Sequence, residues 1–129
     1  MALPVTTLYA GLIGLLMITL AARVILLRRS AQIGWGDGGN QVLKCRIRAF
    51  GNCAEYAPFA LLLLALIEGN DAPTWILHGI GAALIAGRVV HGWSFSFAGG
   101  HMGARVTGMG LTFAAIGVAA LVALGQALI

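Results

Sequence analysis

Arg48, Asn52 and Glu55 stand at i, i+4 and i+7. On a helix turning about 100° per residue they fall within roughly 60° of one another. Phe59, at i+11, continues the stripe. Glu55 lies twelve residues past Leu43, about 18 Å along the axis of a helix that begins there. A carboxylate at that depth in an apolar helix costs several kcal/mol unless it is paired or protonated. Arg48 and Glu55 are about 10 Å apart along the axis, too far to pair on an ideal helix. Each is expected to find its partner on another helix, another subunit or a ligand. Arg88 and His91, at i and i+3, sit near the end of another apolar stretch; Arg23 interrupts a third, a turn and a half inside its helix, and Arg105 begins a fourth. The four arginines Arg23, Arg48, Arg88 and Arg105 are expected at similar depth, forming a cationic cup at one membrane edge. Its natural occupant is an anion, and sideways access from lipid admits an apolar co-substrate. Two plainer readings fit the same residues: a polar network that fixes helix register, and arginines that extend singly to lipid headgroups.

Other chemistries find no support. His78 is alone at the far end, and Cys45 and Cys53 lack partners for a zinc site. Gly79 to Leu84 lacks the third glycine of a dinucleotide fingerprint. The Gly36–Asn40 run has one carboxylate, too few for a calcium loop. There is no nucleophile elbow, and a Ser/His/Asp triad has no support.

The elements that must position these residues are apolar helices. The chain has 129 residues, of which 60% are hydrophobic and 9% charged. Soluble domains are roughly 25% charged, so neither disorder nor an ordinary water-soluble domain fits. At about 20 residues per span the length holds at most four or five crossings. Four apolar stretches are expected as helices over about 3–27, 43–67, 74–97 and 104–129. They are separated by a glycine-rich loop around Trp35, a turn at Glu68–Pro73 and a break at Gly99–His101. Short connections imply antiparallel neighbours, hence an all-α membrane protein: a single-domain, four-helix, up-down bundle.

All eight Lys and Arg fall at one end of this bundle. Arg23, Arg28, Arg29, Lys44, Arg46 and Arg48 flank the first loop, and Arg88 and Arg105 the third. The excess of positive charge places loops one and three in the cytosol and both termini outside. The net charge of +4 is therefore read as topology rather than as a nucleic-acid footprint. No Lys or Arg precedes the first apolar run, so no cleavable signal peptide is expected. Cys45 and Cys53 stand about 12 Å apart on one helix, too far for a disulfide. Trp35, Trp75 and Trp93 fall near helix ends, as interfacial anchors do. Gly79, Ala83 and Gly87 share one helix face, and Gly110, Ala114 and Gly117 another; such stripes let backbones approach in lipid. Pro58 frees the carbonyl of Ala54, and a kink there opens space beyond the polar stripe.

The stretch Arg46-Ile47-Arg48-Ala49-Phe50-Gly51-Asn52-Cys53-Ala54-Glu55-Tyr56-Ala57-Pro58 resembles the second-helix signature of the MAPEG family, the membrane-associated proteins of eicosanoid and glutathione metabolism. Gly87-Arg88-Val89-Val90-His91-Gly92-Trp93 looks like the family's third-helix end, and Ala104-Arg105-Val106-Thr107-Gly108 like the start of its fourth helix. The resemblance covers essentially the whole chain. It implies a homotrimer with glutathione bound between subunits near the cytosolic face. Arg48, Asn52, Glu55 and Tyr56 match glutathione-binding positions, Arg88 a third-helix arginine, and Arg105 the arginine that stabilises the glutathione thiolate. Arg23, or Arg28 and Arg29, match first-helix arginines. The sequence departs from the pattern at Val89 and Trp93, where tyrosines are expected, and at Phe50, where some relatives carry a polar residue. The third loop is also longer.

The expected function is a glutathione-dependent transferase or peroxidase acting on lipophilic electrophiles or hydroperoxides in a bacterial inner membrane. Arg105 is its catalytic residue, and Arg48, Asn52, Glu55, Tyr56, Arg88, Arg23 and His91 bind the substrates. Glutathione is the co-substrate, no metal takes part, and the remaining partners are a lipophilic small molecule and membrane lipid. Lowering a thiol pKa by two units takes about 2.7 kcal/mol of differential stabilisation, within reach of one arginine in a poorly solvated site. Two other classes compete. One is a non-catalytic membrane protein holding an anionic lipid or metabolite in the same cup. The other is a small exporter using Glu55 as its cation site, which the surrounding arginines disfavour.

Overall fold

In a computed structural model describing residues 2–95 and 100–128, the chain forms four helices and no strand among those residues. They are α1 (Pro4–Ser30), α2 (Gln41–Gly69), α3 (Thr74–Ser94) and α4 (Met102–Leu128). The expected boundaries move outward at four ends, α2 also running on to Gly69. α1 continues through Arg28 and Arg29, and its last turn places those cations near the free carbonyls they favour. α2 begins two residues early because the Asn40 side chain accepts from the Leu43 N–H at 3.0 Å. α4 likewise starts at Met102. α3 ends at Ser94; the expected extension through Phe97 includes Ser96 and Phe97, which lie outside the described residues.

Three helices, α1, α2 and α4, are long and apolar enough to cross a bilayer by composition. α3 carries Arg88, His78 and His91 in 21 residues, which lowers its mean hydropathy. It is still about 31 Å long, the thickness of a hydrocarbon core, and lies within the same bundle. α2 runs unbroken through Pro58, which is exposed and does not line the cavity described below.

Helix ends pair as an up-down bundle requires. At the basic end, Arg46 Nη1 donates to the Arg23 carbonyl at 2.8 Å, joining α2 to α1. At the opposite end Glu68, in the last turn of α2, accepts from the backbone N–H groups of Val5 at 2.8 Å and Thr6 at 2.7 Å. It supplies from another helix the cap that α1 lacks locally. Gln126 Nε2 donates to the Asn70 carbonyl at 2.9 Å and ties α4 to the same end. His78, expected to stand alone, meets Tyr9 there, with Tyr9 Oη 3.2 Å from His78 Nδ1.

The core follows α2. Ala49, Cys53, Ala57, Ala60, Leu64 and Ile67 recur every three or four residues and are buried. Val5, Tyr9, Ile13 and Leu20 of α1 pack with them, as do Leu77, Ile80 and Leu84 of α3 and Ala115 and Ala119 of α4. α2 and α3 form the central pair, flanked by α1 and α4, which do not touch each other. The most extensive pairing is α3 with α4. It depends on Gly87 and Gly108: a Cβ at Gly108 would lie 2.7 Å from the His91 nitrogen and 2.8 Å from the Gly87 carbonyl oxygen. Of the two expected small-residue stripes, Gly87 makes this contact, whereas Gly79, Gly110 and Gly117 face no neighbour in the chain.

Candidate functional site

Close approach of α3 and α4 draws Arg88 into the bundle, where it is 1% exposed. Its Nη1 donates to Asn52 Oδ1 at 2.7 Å, from α2. Nε and Nη2 both donate to Thr112 Oγ1, at 2.9 and 2.6 Å, from α4. Thr112 in turn donates to the Gly108 carbonyl at 2.9 Å. Arg88 has no carboxylate partner among the described residues. Neutral acceptors from two helices hold it, and its guanidinium carbon stands 5.9 Å from the centroid of the Tyr56 ring. This arginine fixes helix positions and does not line the cup, which corrects one of the four expected arginines.

Arg23 is the second correction. It lies on α1, and α1 and α4 are separated by the α2–α3 pair, so Arg23 cannot stand beside Arg105 within one chain. The four-arginine cup is thus a two-arginine cavity of about 470 Å³ at the basic end. Arg48, Asn52 and Tyr56 enter it from α2, His91 from α3 and Arg105 from α4. Phe95, Met102, Val106, Met109 and Phe113 provide apolar wall. The volume falls in the roughly 300–1,000 Å³ range of small-ligand sites.

The polar groups in the cavity are separately held. Asn52 Oδ1 is engaged by Arg88, which leaves its amide N–H₂ as the group available to a ligand. His91 is buried, its ring edge-on to Phe95 at 5.1 Å between centroids. The Arg105 guanidinium carbon sits 4.8 Å from the Phe95 centroid, and Arg105 has no acid partner among the described residues. Cation–π contact steadies such a group without neutralising it. Tyr56 packs edge-on to Phe113 at 5.6 Å and carries the only hydroxyl among the lining residues. Val89 and Trp93, at the positions of the two expected tyrosines, are exposed and do not line the cavity.

The wall of this cavity does not include Glu55. Glu55 lines an adjoining cleft of about 520 Å³, which shares Arg48 and Phe95 with the cavity. The expectation that Arg48 and Glu55 cannot meet fails: Arg48 Nη1 is 3.9 Å from Glu55 Oε1. The side chains close what the axial rise leaves open, because the arginine runs along two turns of the same helix face. Both side chains are more than half exposed, at 61% and 54%.

Thr112, Met109, Phe95 and Phe113 belong to the site and carry no mark in the motifs. The available signal was spacing: Met109 and Thr112 stand four and seven residues past Arg105, on its helix face. Cys45 and Cys53 are free thiols, as their separation implies. No cluster of metal ligands occurs among the described residues.

Comparison with known proteins agrees with the resemblance read from the motifs. The family model of the MAPEG family matches residues 6–125. The chain is 41% identical over 91 residues to the inner membrane protein YecN of Escherichia coli strain K12, covering 70% of each chain, and the same figures hold for YecN of an O6:H1 strain.

Proposed function

The chain belongs to the MAPEG family, and on that premise we propose that it is a glutathione-dependent membrane transferase or peroxidase for lipophilic electrophiles or hydroperoxides. One observation carries the reading: a single cavity gathers Arg48, Asn52, Tyr56, His91 and Arg105 beside apolar wall at the basic end. Arg48 and the Asn52 amide suit the carboxylates of a peptide, through charge-assisted and neutral bonds respectively. Arg105, held on Phe95 without an acid partner, is the cation left to stabilise a thiolate. Apolar side chains such as Val106, Met109 and Phe113 suit the second, lipophilic substrate.

In the transfer reaction the glutathione sulfur donates its electron pair to an electrophilic carbon and a C–S bond forms. The displaced group departs with that carbon's former bonding pair, or the adduct takes up a proton. In the reductive reaction the sulfur attacks the O–O bond of a hydroperoxide. Sulfur is oxidised to a sulfenic acid and the other oxygen leaves as the alcohol with a proton. A second glutathione then forms the disulfide and releases water. In both, the residues contribute binding, proximity and thiolate stabilisation.

The assembly we propose is a homotrimer. Its support is the half-exposed Arg48–Glu55 pair on a membrane-spanning helix, where charge facing lipid is costly and a neighbouring copy relieves it. The proposed location is a bacterial inner membrane with loops one and three in the cytosol. The name of the Escherichia coli relative and the one-sided distribution of Lys and Arg support this.

The test is the ultraviolet difference absorbance of glutathione thiolate on purified protein, titrated with pH. A thiolate signal at neutral pH that disappears in Arg105→Ala is the expected result. No signal at saturating glutathione sinks the proposal. It would favour the second reading, a non-catalytic anion-binding protein, for which the single hydroxyl in the cavity speaks.

A further inference from the structure

The end of α1 and the start of α2 enclose another cationic cleft, of about 360 Å³, that shares no residue with the Arg105 cavity. Its walls are Arg28, Trp35, Gly36, Asp37, Lys44 and Ile47. Of the other α2 cations, Arg46 bonds the Arg23 carbonyl and Arg48 pairs with Glu55. Arg28 and Lys44 have no side-chain hydrogen bond or ion pair among the described residues. Asp37 is the one acid in the wall, and its Oδ1 accepts from the Gly39 N–H at 2.9 Å. The second carboxylate oxygen remains as an acceptor for a donor brought by a ligand.

The surroundings specify where that ligand comes from. Arg28 is in the last turn of one membrane helix and Lys44 in the first turn of the next, which puts both at headgroup level. Trp35 is 94% exposed beside them, a ring of the type that anchors at membrane interfaces. One turn deeper on α1, Ile25 and Leu26 are exposed to the bilayer. Cations and an amphipathic ring at the helix ends thus adjoin an apolar helix surface, the pairing that a lipid's phosphate and acyl chains require.

We propose that this cleft binds the phosphate of an anionic bilayer lipid. Arg28 and Lys44 bond the phosphate oxygens, Asp37 accepts from a headgroup hydroxyl, and the acyl chains run along Ile25 and Leu26. The proposal does not depend on glutathione binding. A soluble phosphate ester shares the charge but gains nothing from Trp35 or the apolar surface below it.

The experiment is native mass spectrometry of the delipidated full chain in detergent, with equal amounts of phosphatidylglycerol and phosphatidylcholine of identical acyl chains. Wild type is expected to retain phosphatidylglycerol with about tenfold preference, the factor supplied by one charge-assisted bond of about 1.4 kcal/mol. Arg28→Gln/Lys44→Gln and Arg28→Ala/Lys44→Ala are both expected to lose most of it while keeping native helical circular dichroism. Arg29→Ala removes the same charge one residue along, outside these walls, and is expected to keep the preference. Undiminished preference in the folded double variants overturns the proposal. So does an equal loss in Arg29→Ala, which would make the effect one of general charge. Displacement of the lipid by inorganic phosphate also overturns it, by showing that the cleft reads free phosphate.

Discussion

Replacing Thr112 with valine preserves the side chain's shape and removes one oxygen. That oxygen accepts from Arg88 at 2.9 and 2.6 Å and donates to the Gly108 carbonyl. After the change, Arg88 keeps its 2.7 Å bond to Asn52 Oδ1, with longer contacts to Gly108 O at 3.5 Å and Met109 Sδ at 3.3 Å. Neutral interhelical hydrogen bonds in membranes are worth about 0.6 kcal/mol on average and at most about 1.7 kcal/mol. A charged donor roughly doubles such a bond. Two bonds from a guanidinium that is 1% exposed therefore amount to about 2–4 kcal/mol. Thr112→Val should show that loss in a dodecyl sulfate titration in mixed micelles, followed by far-ultraviolet circular dichroism. Thr112→Ser keeps the oxygen and loses one methyl, about 0.5–1.5 kcal/mol. A valine variant within about 0.5 kcal/mol of wild type would show that the Arg88 bonds add nothing net. Equal losses for valine and serine would assign the effect to packing. Either result refutes the view that Arg88 is held chiefly by hydrogen bonds.

Three further substitutions probe the frame around the site. Gly108→Ala places a methyl against backbone atoms of α3 at 2.7–2.8 Å, so α3 and α4 must separate. A loss of about 2 kcal/mol or more is expected in the same titration, whereas Gly110→Ala, in open space, should be neutral or slightly stabilising through helix propensity. Glu68→Gln leaves one side-chain oxygen for the two N–H groups of Val5 and Thr6. Hydrogen exchange at those two amides should accelerate about tenfold, consistent with losing roughly 1–2 kcal/mol of capping; unchanged exchange would mean that water already serves them.

The helix count, the up-down order and the clustering of basic residues were legible because hydropathy and charge vary along one dimension, the depth in the bilayer. Lateral arrangement is a different matter. Nothing in the spacing of Arg23 says that α1 and α4 stay apart, so depth alone put Arg23 and Arg105 in one cup. Arg88 was legible as a polar residue on an apolar helix. Its burial was not, because the residues that receive it, Asn52 and Thr112, lie 36 and 24 positions away on other helices. The Arg48–Glu55 contact depends on the reach of the arginine side chain, which the axial rise between the two residues does not include. Arg48, Asn52, Tyr56, His91 and Arg105 were brought together as expected, because each faces the α2–α3–α4 side at the basic end.

The hold of Glu68 on the start of α1 has a consequence for how the protein is made. The N–H groups of Val5 and Thr6 meet their acceptor 63 and 62 residues further along the chain. At a synthesis rate of about 5–20 residues per second, Glu68 leaves the ribosome roughly 3–12 seconds after them. Throughout that interval α1 is an apolar segment with an unfinished end, and only water or lipid headgroups at the membrane surface can serve it. The α1–α2 hairpin is therefore the smallest nascent piece in which the first helix is complete. A chain released before Glu68 emerges would present the insertion machinery with a segment whose leading end has no fixed depth.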